Sequence, residues 1–104
     1  MVIGSGNEKM KISELKEGQK IEMMKLKVLT VYPIRNVNVK NNLVSVQDLL
    51  VTDDETETIL TLWKDNCGKV QEGCIKTFTS ILVRKDNYTG ELTLSTGFFG
   101  RILD

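Results

Sequence analysis

The sequence of 104 residues contains no histidine, and this absence weighs against most classes of enzyme. Histidine is the commonest general base and the commonest metal ligand in proteins. The sequence also lacks the phosphate-binding motifs GxxxxGKS/T and GxGxxG. Its serines have no histidine that could activate them. The sequence therefore predicts a protein without catalytic activity and without a cofactor.

Cysteine is scarce as well, with Cys67 and Cys74 as the only two. Two cysteines are too few for a disulfide framework and, without histidine, too few for a zinc site, which needs four ligands. They are expected to be two reduced thiols, with a local bridge across Gly68 and Gly73 as the alternative. The acidic run Asp53–Glu57 lacks the ligand spacing of a calcium loop, so no metal site is predicted.

The sequence has neither a long apolar run nor a secretory leader. No stretch reaches the 18 or more apolar residues of a membrane helix, and residues 1–6 lack both the basic and the apolar region of a signal peptide. This predicts an intracellular protein without a membrane partner, nuclear in a eukaryote and cytoplasmic in an archaeon. The length predicts a single domain over residues 11–104, preceded by a flexible tail over residues 1–10.

Basic and acidic residues balance at 14 each, so the net charge of zero does not by itself indicate a nucleic-acid-binding protein. The charges are nevertheless unevenly distributed along the chain. Residues 9–40 hold eight basic and three acidic residues, whereas residues 41–72 hold two basic and seven acidic residues. If these segments lie on different faces, the protein has one basic side; the alternative is ordinary solvated surface.

The hydrophobic pattern is that of short β-strands. From Ile21 apolar residues alternate with polar ones until Tyr32-Pro33 interrupts the run, because proline cannot donate to a sheet. Further strands are predicted over residues 43–52, 58–63, 74–83 and 91–96, with polar turns such as Lys40-Asn41-Asn42 between them. The segment from Lys64 to Gly73 contains the one plausible helical turn.

This pattern describes an all-β fold, the five-stranded Greek-key barrel called the OB-fold, with a short helix or irregular segment between strands 3 and 4. A small SH3-like barrel would also fit the strand periodicity. The connector over residues 64–73 is too long for a tight hairpin loop, however. We therefore predict an OB-fold.

One aromatic residue is predicted to lie on the outer face of strand 3. Leu60 and Leu62 share one face of this strand and suit a barrel interior, so that Thr61 and Trp63 occupy the other face. An outward indole could stack on a nucleic-acid base, a contact worth ~1–3 kcal/mol. Alternatively, Trp63 closes the end of the barrel.

Tyr88 is a second candidate, because it lies in a polar loop next to the basic pair Arg84-Lys85. An aromatic ring among cations is the combination that binds single strands, by stacking on bases and by attracting phosphates. The alternative is a tyrosine that packs sideways against its own loop. Tyr32, beside Pro33 and near Arg35, is a third candidate for which a structural role is favoured.

The phenylalanines are expected to be mostly structural. Phe78 lies in the middle of a strand and is predicted to belong to the core. Phe98 and Phe99 are adjacent, so as strand residues they would face opposite ways and at most one would be buried.

Several sequence blocks occur in an order that is shared with a known family. They are Ile12-Ser13-Glu14-Leu15 with Gly18, Ile59-Leu60-Thr61-Leu62-Trp63 followed by Lys64-Asp65, Gly73, and Tyr88-Thr89-Gly90-Glu91-Leu92-Thr93-Leu94 with Gly97, Gly100 and Ile102. On these blocks the chain resembles the short single-OB single-stranded-DNA-binding proteins of the replication protein A type. That family includes archaeal SSB-like OB domains and the metazoan SSB proteins of the sensor-of-ssDNA complex.

The resemblance implies that Trp63 and Tyr88 fall on base-stacking positions. It also implies a binding groove across strands 2 and 3, between two hairpin loops. Ser95 stands where some relatives carry another aromatic residue. By position, basic residues of the first and last hairpins would flank the groove and meet phosphates: Arg35, Lys40, Arg84 and Lys85.

Together these observations predict a non-enzymatic protein that binds single-stranded DNA, or RNA, without strong sequence preference, in DNA replication, repair or the damage response. Other protein subunits of such a complex are further expected partners. The alternative is an OB-fold interaction subunit with little or no nucleic-acid binding, which the zero net charge and the acidic residues 48–72 favour. DNA and RNA are not distinguished, because contacts to the 2′-hydroxyl leave no motif here.

Overall fold

The computed structural model describes residues 11–103 of the chain. This part contains seven β-strands and two single 3-10 turns, which are joined by loops. The strands are β1 (Lys20–Val31), β2 (Arg35–Val39), β3 (Asn42–Thr52), β4 (Glu57–Trp63), β5 (Ile75–Lys85), β6 (Leu92–Ser95) and β7 (Ile102–Leu103). The 3-10 turns are Ile12–Glu14 and Lys64–Asn66. The predicted tail, residues 1–10, lies outside the described residues, as does Asp104. Within the described range no helix is long and apolar enough to cross a membrane.

The strands pair around a closed circuit. β1 pairs with β3, β3 with β4, β4 with β6, β6 with β5, and β5 pairs back with β1. β2 extends the sheet beside β3, and β7 extends it beside β5. Only the β4–β6 pair is parallel. The predicted all-β OB architecture is therefore confirmed.

The first predicted strand is divided where the sequence places Tyr32-Pro33. β1 ends before this dipeptide and β2 begins after it. The backbone at the break is held from β3, because the Tyr32 N–H donates to the Asp48 carbonyl at 3.1 Å and the Gln47 side-chain amide donates to the Tyr32 carbonyl at 2.9 Å. The following hairpin turns at Lys40 and Asn41, whose φ angles of 50° and 70° fit a two-residue turn of the type that favours Asn.

The connector between β4 and β5 is the predicted short element. It consists of the 3-10 turn Lys64–Asn66 and an irregular segment. The buried Gln47 amide oxygen accepts the Gly68 N–H at 2.8 Å, which fixes this segment against β3. Cys67 and Cys74 are free thiols, so the alternative of a local bridge does not hold. Burial raises the pKa of the Cys67 thiol and keeps it in its unreactive, protonated form.

The core is formed by alternate residues of the long strands, as the period-two pattern predicts. On β4, Leu60 and Leu62 are completely buried, and Phe78 on β5 is completely buried as predicted. Each such side chain contributes about 1.5–3 kcal/mol through its burial. Because side chains alternate along a strand, Thr61 and Trp63 lie on the outer face of β4.

Two ion pairs connect the basic and acidic segments of the sequence. Lys11 pairs with Glu55 at 3.4 Å, and Arg35 pairs with Asp48 at 3.2 Å. Each of these ion pairs joins a basic residue of segment 9–40 to an acidic residue of segment 41–72. The hypothesis of one basic side stays a prediction.

The acidic turn between β3 and β4 has a structural role. One Asp53 carboxylate oxygen accepts the N–H groups of Glu55 and Thr56, and the other accepts the Ile12 N–H at 2.8 Å. Burial alone would raise the pKa of Asp53, but the backbone hydrogen bonds from Ile12, Thr56 and Glu55 outweigh it and lower the pKa below its ordinary value. Asp53 thus fastens the first 3-10 turn to the barrel.

Candidate functional site

A shallow groove with a cavity volume of about 210 Å³ is formed by residues of β2, β3, β4, β5 and β6. The register places Arg35 opposite Val46 and Val46 opposite Trp63, so the guanidinium and the indole belong to one row across three strands. The groove is lined by Arg35, Val37, Val46, Thr61, Trp63, Arg84, Thr93, Leu94 and Ser95. An aromatic ring therefore shares an open surface with two arginines.

Trp63 is half-buried in this groove and its orientation is fixed by two contacts. Its Nε1–H donates to the Ser95 hydroxyl at 2.8 Å. The Phe98 ring meets the indole edge to face, with a centroid distance of 5.3 Å and an interplanar angle of 69°. Trp63 lines the outer groove and belongs to the exposed side of β4. The predicted outward placement is confirmed, and its role in stacking stays a prediction.

Asp48 lies opposite Thr61 on the neighbouring strand β3 and places a negative charge next to the groove. One of its oxygens accepts a hydrogen bond from the Thr61 hydroxyl at 2.7 Å, and the other contacts the Arg35 guanidinium at 3.2 Å. Arg35 is therefore partly neutralised within the site itself. No group of three or more His, Cys, Asp or Glu side chains comes together as a metal site within residues 11–103.

The β5–β6 end of the groove has an exposed cation, and an exposed aromatic ring lies in the loop after β5. Arg84 lines the groove, opposite Thr93 of β6. Tyr88 lies in the loop that follows β5, and its side chain is 100% exposed, so it does not pack sideways against the protein. The loop backbone is nevertheless ordered by Asp86, whose carboxylate accepts the N–H groups of Tyr88 at 2.7 Å and Thr89 at 3.3 Å.

The structure brings only part of the predicted site together. Lys40 is exposed at the tip of the β2–β3 hairpin, Lys85 is exposed at the end of β5, and Tyr32 is 41% exposed at the break between β1 and β2. None of these three residues lines the groove, and neither does Tyr88. The predicted residues that do line it are Trp63, Arg35 and Arg84.

Phe98 and Phe99 lie in a turn after β6 and not in a strand, which corrects their predicted setting. They are 38% and 84% exposed, so the prediction that at most one of them is buried is confirmed. The glycines on both sides of the pair are the sequence signal that could have indicated a turn, and Gly97 has a φ of +61°. The contact of Phe98 with Trp63 depends on tertiary packing and has no sequence signal.

Comparison with known proteins identifies the fold. No protein-family model matches the sequence, and no curated protein does. The OB domain of a Thermoplasma acidophilum protein superimposes with a TM-score of 0.75 at 18% identity, over 91% of this chain and 84% of that domain. The second OB-fold domain of replication protein A from Methanococcus maripaludis has a TM-score of 0.69 at 27% identity, over 85% of this chain and 88% of that domain.

A further solved structure leads to the same fold. The replication factor A related protein from Methanobacterium thermoautotrophicum matches with a TM-score of 0.70 at 18% identity, over 96% of this chain and 94% of that protein. The resemblance indicated by the sequence blocks is thus confirmed by these solved structures. The chain is an OB-fold protein, and its structural neighbours include the second OB-fold domain of replication protein A from Methanococcus maripaludis.

Proposed function

We propose that this protein binds single-stranded DNA without strong sequence preference and without catalysing a reaction. The observation that carries the proposal is the outer groove, in which the Trp63 ring lies on an open sheet surface with Arg35 and Arg84. Single strands are bound by this combination, because every base has a face that can stack and every nucleotide has a phosphate. Tyr88, Lys40 and Lys85 extend the site from the two hairpin loops.

The setting of Trp63 supports stacking in particular. Its N–H already has a partner in Ser95, so the remaining interaction that the ring offers is its aromatic surface. The ring is also held in place before a ligand arrives, by Ser95 and by Phe98. A side chain that is already ordered loses little conformational entropy on binding.

The charges of the groove support a salt-sensitive interaction of moderate strength. Arg84 contributes a positive charge at one end, whereas Asp48 opposes Arg35 at the other. Phosphate contacts release counterions, so the logarithm of the binding constant should fall as the logarithm of the salt concentration rises. A slope near zero would contradict the proposal.

The structural neighbours support a role in DNA metabolism. One is a domain of replication protein A and another is described as related to replication factor A. By this similarity we propose that the protein acts in DNA replication, repair or the damage response, alone or with other protein subunits.

The direct test uses the single tryptophan of the sequence as the reporter. The protein is titrated with an oligo-dT of about 30 nucleotides, which exceeds the usual site size of an OB fold. Quenching of Trp63 fluorescence that added salt reverses would support the proposal. No change at micromolar protein would contradict it. A parallel titration with oligo-rU of the same length compares RNA with DNA.

A protein-interaction module is the second candidate, and the Arg35–Asp48 pair favours it. This ion pair reduces the positive charge of the groove, whereas positive charge favours the binding of a nucleic acid. The Trp63→Ala, Tyr88→Ala double variant separates the two candidates. Lost oligo-dT binding with an unchanged melting temperature supports nucleic-acid binding. A variant that unfolds would show that the rings are structural and would contradict the site assignment.

A further inference from the structure

The turn that follows β6 carries an aromatic ring that is largely exposed to solvent. The turn contains Phe98 and Phe99 between Gly97 and Gly100. Phe98 is partly covered, but Phe99 is 84% exposed. The side chain of phenylalanine has no polar group that could interact with water. An exposed ring of this kind can form a binding surface if its turn is rigid and lies close to the groove.

The turn is held in place by several contacts. The Gly100 N–H donates to the Thr96 carbonyl at 3.1 Å, and the buried Asn66 side-chain amide donates to the Gly100 carbonyl at 2.8 Å. A Cβ atom at position 100 would lie 2.6 Å from the Thr79 carbonyl oxygen. The backbone of the turn thus packs directly against β5 and against the 3-10 turn after β4, and Phe99 is presented from a fixed backbone.

The turn is also continuous with the groove. Phe98 contacts Trp63 with a centroid distance of 5.3 Å, and the Lys64 Nζ atom lies 4.1 Å from the centroid of the Phe98 ring. The Arg101 guanidinium donates to the carbonyls of Phe99 at 3.4 Å and Gly100 at 3.1 Å. Two cations, Lys64 and Arg101, are therefore in contact with the turn.

We propose that Phe99 is a third stacking site for a single strand, and that Lys64 and Arg101 contact its phosphates there. The proposal rests on the proposed function and extends it, because the strand would run past Trp63 over the turn. Continuity with the groove and the flanking cations favour a nucleic acid over an apolar protein segment as the occupant. Aromatic faces with adjacent cations are the elements that extend a single-strand path.

The test measures how the effect of Phe99→Ala depends on ligand length. Fluorescence anisotropy of labelled oligo-dT is recorded for lengths from about 4 to about 16 nucleotides, the range of OB-fold site sizes. For the long oligonucleotides we expect the dissociation constant to rise about fivefold or more, and for the shortest ones, which reach only Trp63, to stay unchanged. Phe99→Tyr, which keeps the ring, should bind like the unmodified protein.

The control is Ile75→Ala, because Ile75 is a 55% exposed apolar residue of β5 that does not line the groove. It should leave binding of every length unchanged. If Phe99→Ala binds all lengths like the unmodified protein while Trp63→Ala binds weakly, the third site is wrong and the proposed function stands. If the unmodified protein binds no oligonucleotide, both proposals are wrong.

The cations are tested through the salt dependence. Lys64→Ala and Arg101→Ala should each make the salt slope for the long oligonucleotides shallower by about 0.7, the value for one phosphate contact on a single strand. Lys27→Ala is the matched control, since Lys27 is exposed on β1 and does not line the groove. Equal slopes for all three variants would contradict phosphate contacts at the turn.

Discussion

Trp63 and Tyr88 offer the same type of aromatic contact from two very different regions. Trp63 belongs to the sheet region of the groove, defined by Arg35, Asp48, Thr61, Trp63 and Ser95. There it is half-buried, with Ser95 and Phe98 as partners. Tyr88 belongs to the loop region, residues 85–91, where its backbone is ordered but its side chain is fully exposed. One ring is fixed before binding, and the other is free to rotate.

This difference concerns the entropy of binding. Immobilising a side chain on binding costs about 0.5–1.5 kcal/mol. Tyr88 loses most of its rotational freedom only on binding, whereas Trp63 is already ordered in the free protein. The sheet region should therefore give the larger net contribution, although the chemistry of the two rings is similar. Both regions contain carboxylates: Asp48 of the sheet region is paired with Arg35, and the loop region contains Asp86 and Glu91.

The largest expected effect is that of Trp63→Ala. Loss of one stacked base costs ~1–3 kcal/mol, so the dissociation constant for oligo-dT should rise about 5- to 150-fold. Anisotropy with a labelled oligonucleotide measures this, since the variant has no tryptophan. The dissociation constant of Trp63→Phe should lie between those of the unmodified protein and Trp63→Ala, because phenylalanine keeps a smaller aromatic ring. Circular dichroism checks that the variant is folded, and unchanged binding by a folded variant would contradict the stacking role.

The position of Trp63 could be predicted from the sequence, but its partners could not. Leu60 and Leu62 alternate with Thr61 and Trp63, and this local period is sufficient to assign the inner and outer faces. Ser95 is 32 residues away and comes into contact through the parallel β4–β6 pairing. Such pairings depend on the closure of the whole barrel and leave no local pattern.

The same limit explains the errors and omissions elsewhere in the site. In the sequence Asp48 is one member of an acidic segment, and its pairing with Arg35 arises only because β2 folds back on β3. The turn at Phe98 is stabilised by Asn66, a residue 34 positions away from the carbonyl that it contacts. By contrast, the break at Tyr32-Pro33 follows from proline itself, and the sequence predicted it correctly.

Tyr88→Ala should reduce the affinity for oligo-dT less than Trp63→Ala does. Because the stacking energy is offset by the cost of ordering the side chain, we expect the dissociation constant to rise about 2- to 10-fold. Tyr88→Phe removes only the hydroxyl group and should bind like the unmodified protein. The melting temperature should not change, since the ring is fully exposed. A loss as large as that of Trp63→Ala would contradict the distinction between the two regions.

Asp48→Asn tests the charge of the sheet region and should strengthen binding. It releases Arg35 from its ion pair and removes a negative charge that repels phosphates, while the amide oxygen can still accept the Thr61 hydroxyl. Because exposed ion pairs are worth up to about 1 kcal/mol, the dissociation constant should fall by up to about fivefold at low salt.

The salt slope provides the second readout for Asp48→Asn. It should become steeper by about 0.7 if the released Arg35 meets a phosphate. Glu22→Gln is the control for the change of net charge, because Glu22 is exposed on β1 and does not line the groove. Weaker binding by Asp48→Asn would mean that the carboxylate itself accepts a hydrogen bond from the ligand, and would reverse its assigned role.

The smallest expected effect is that of Asp86→Ala, which acts on the loop region without touching an aromatic ring. The Asp86 carboxylate accepts the N–H groups of Tyr88 and Thr89, and its loss lets the loop sample other conformations. The dissociation constant should rise about twofold, because binding must then order the backbone as well as the ring. Asp86→Asn keeps an acceptor oxygen and should restore the loop.

In the Asp86→Ala, Tyr88→Ala double variant the losses should not add, since both act through the same ring. Full additivity in anisotropy titrations would show that Asp86 acts on binding independently of the Tyr88 ring and would contradict this role of the carboxylate. Tighter binding by Asp86→Ala would show that removing a negative charge outweighs the loss of loop order.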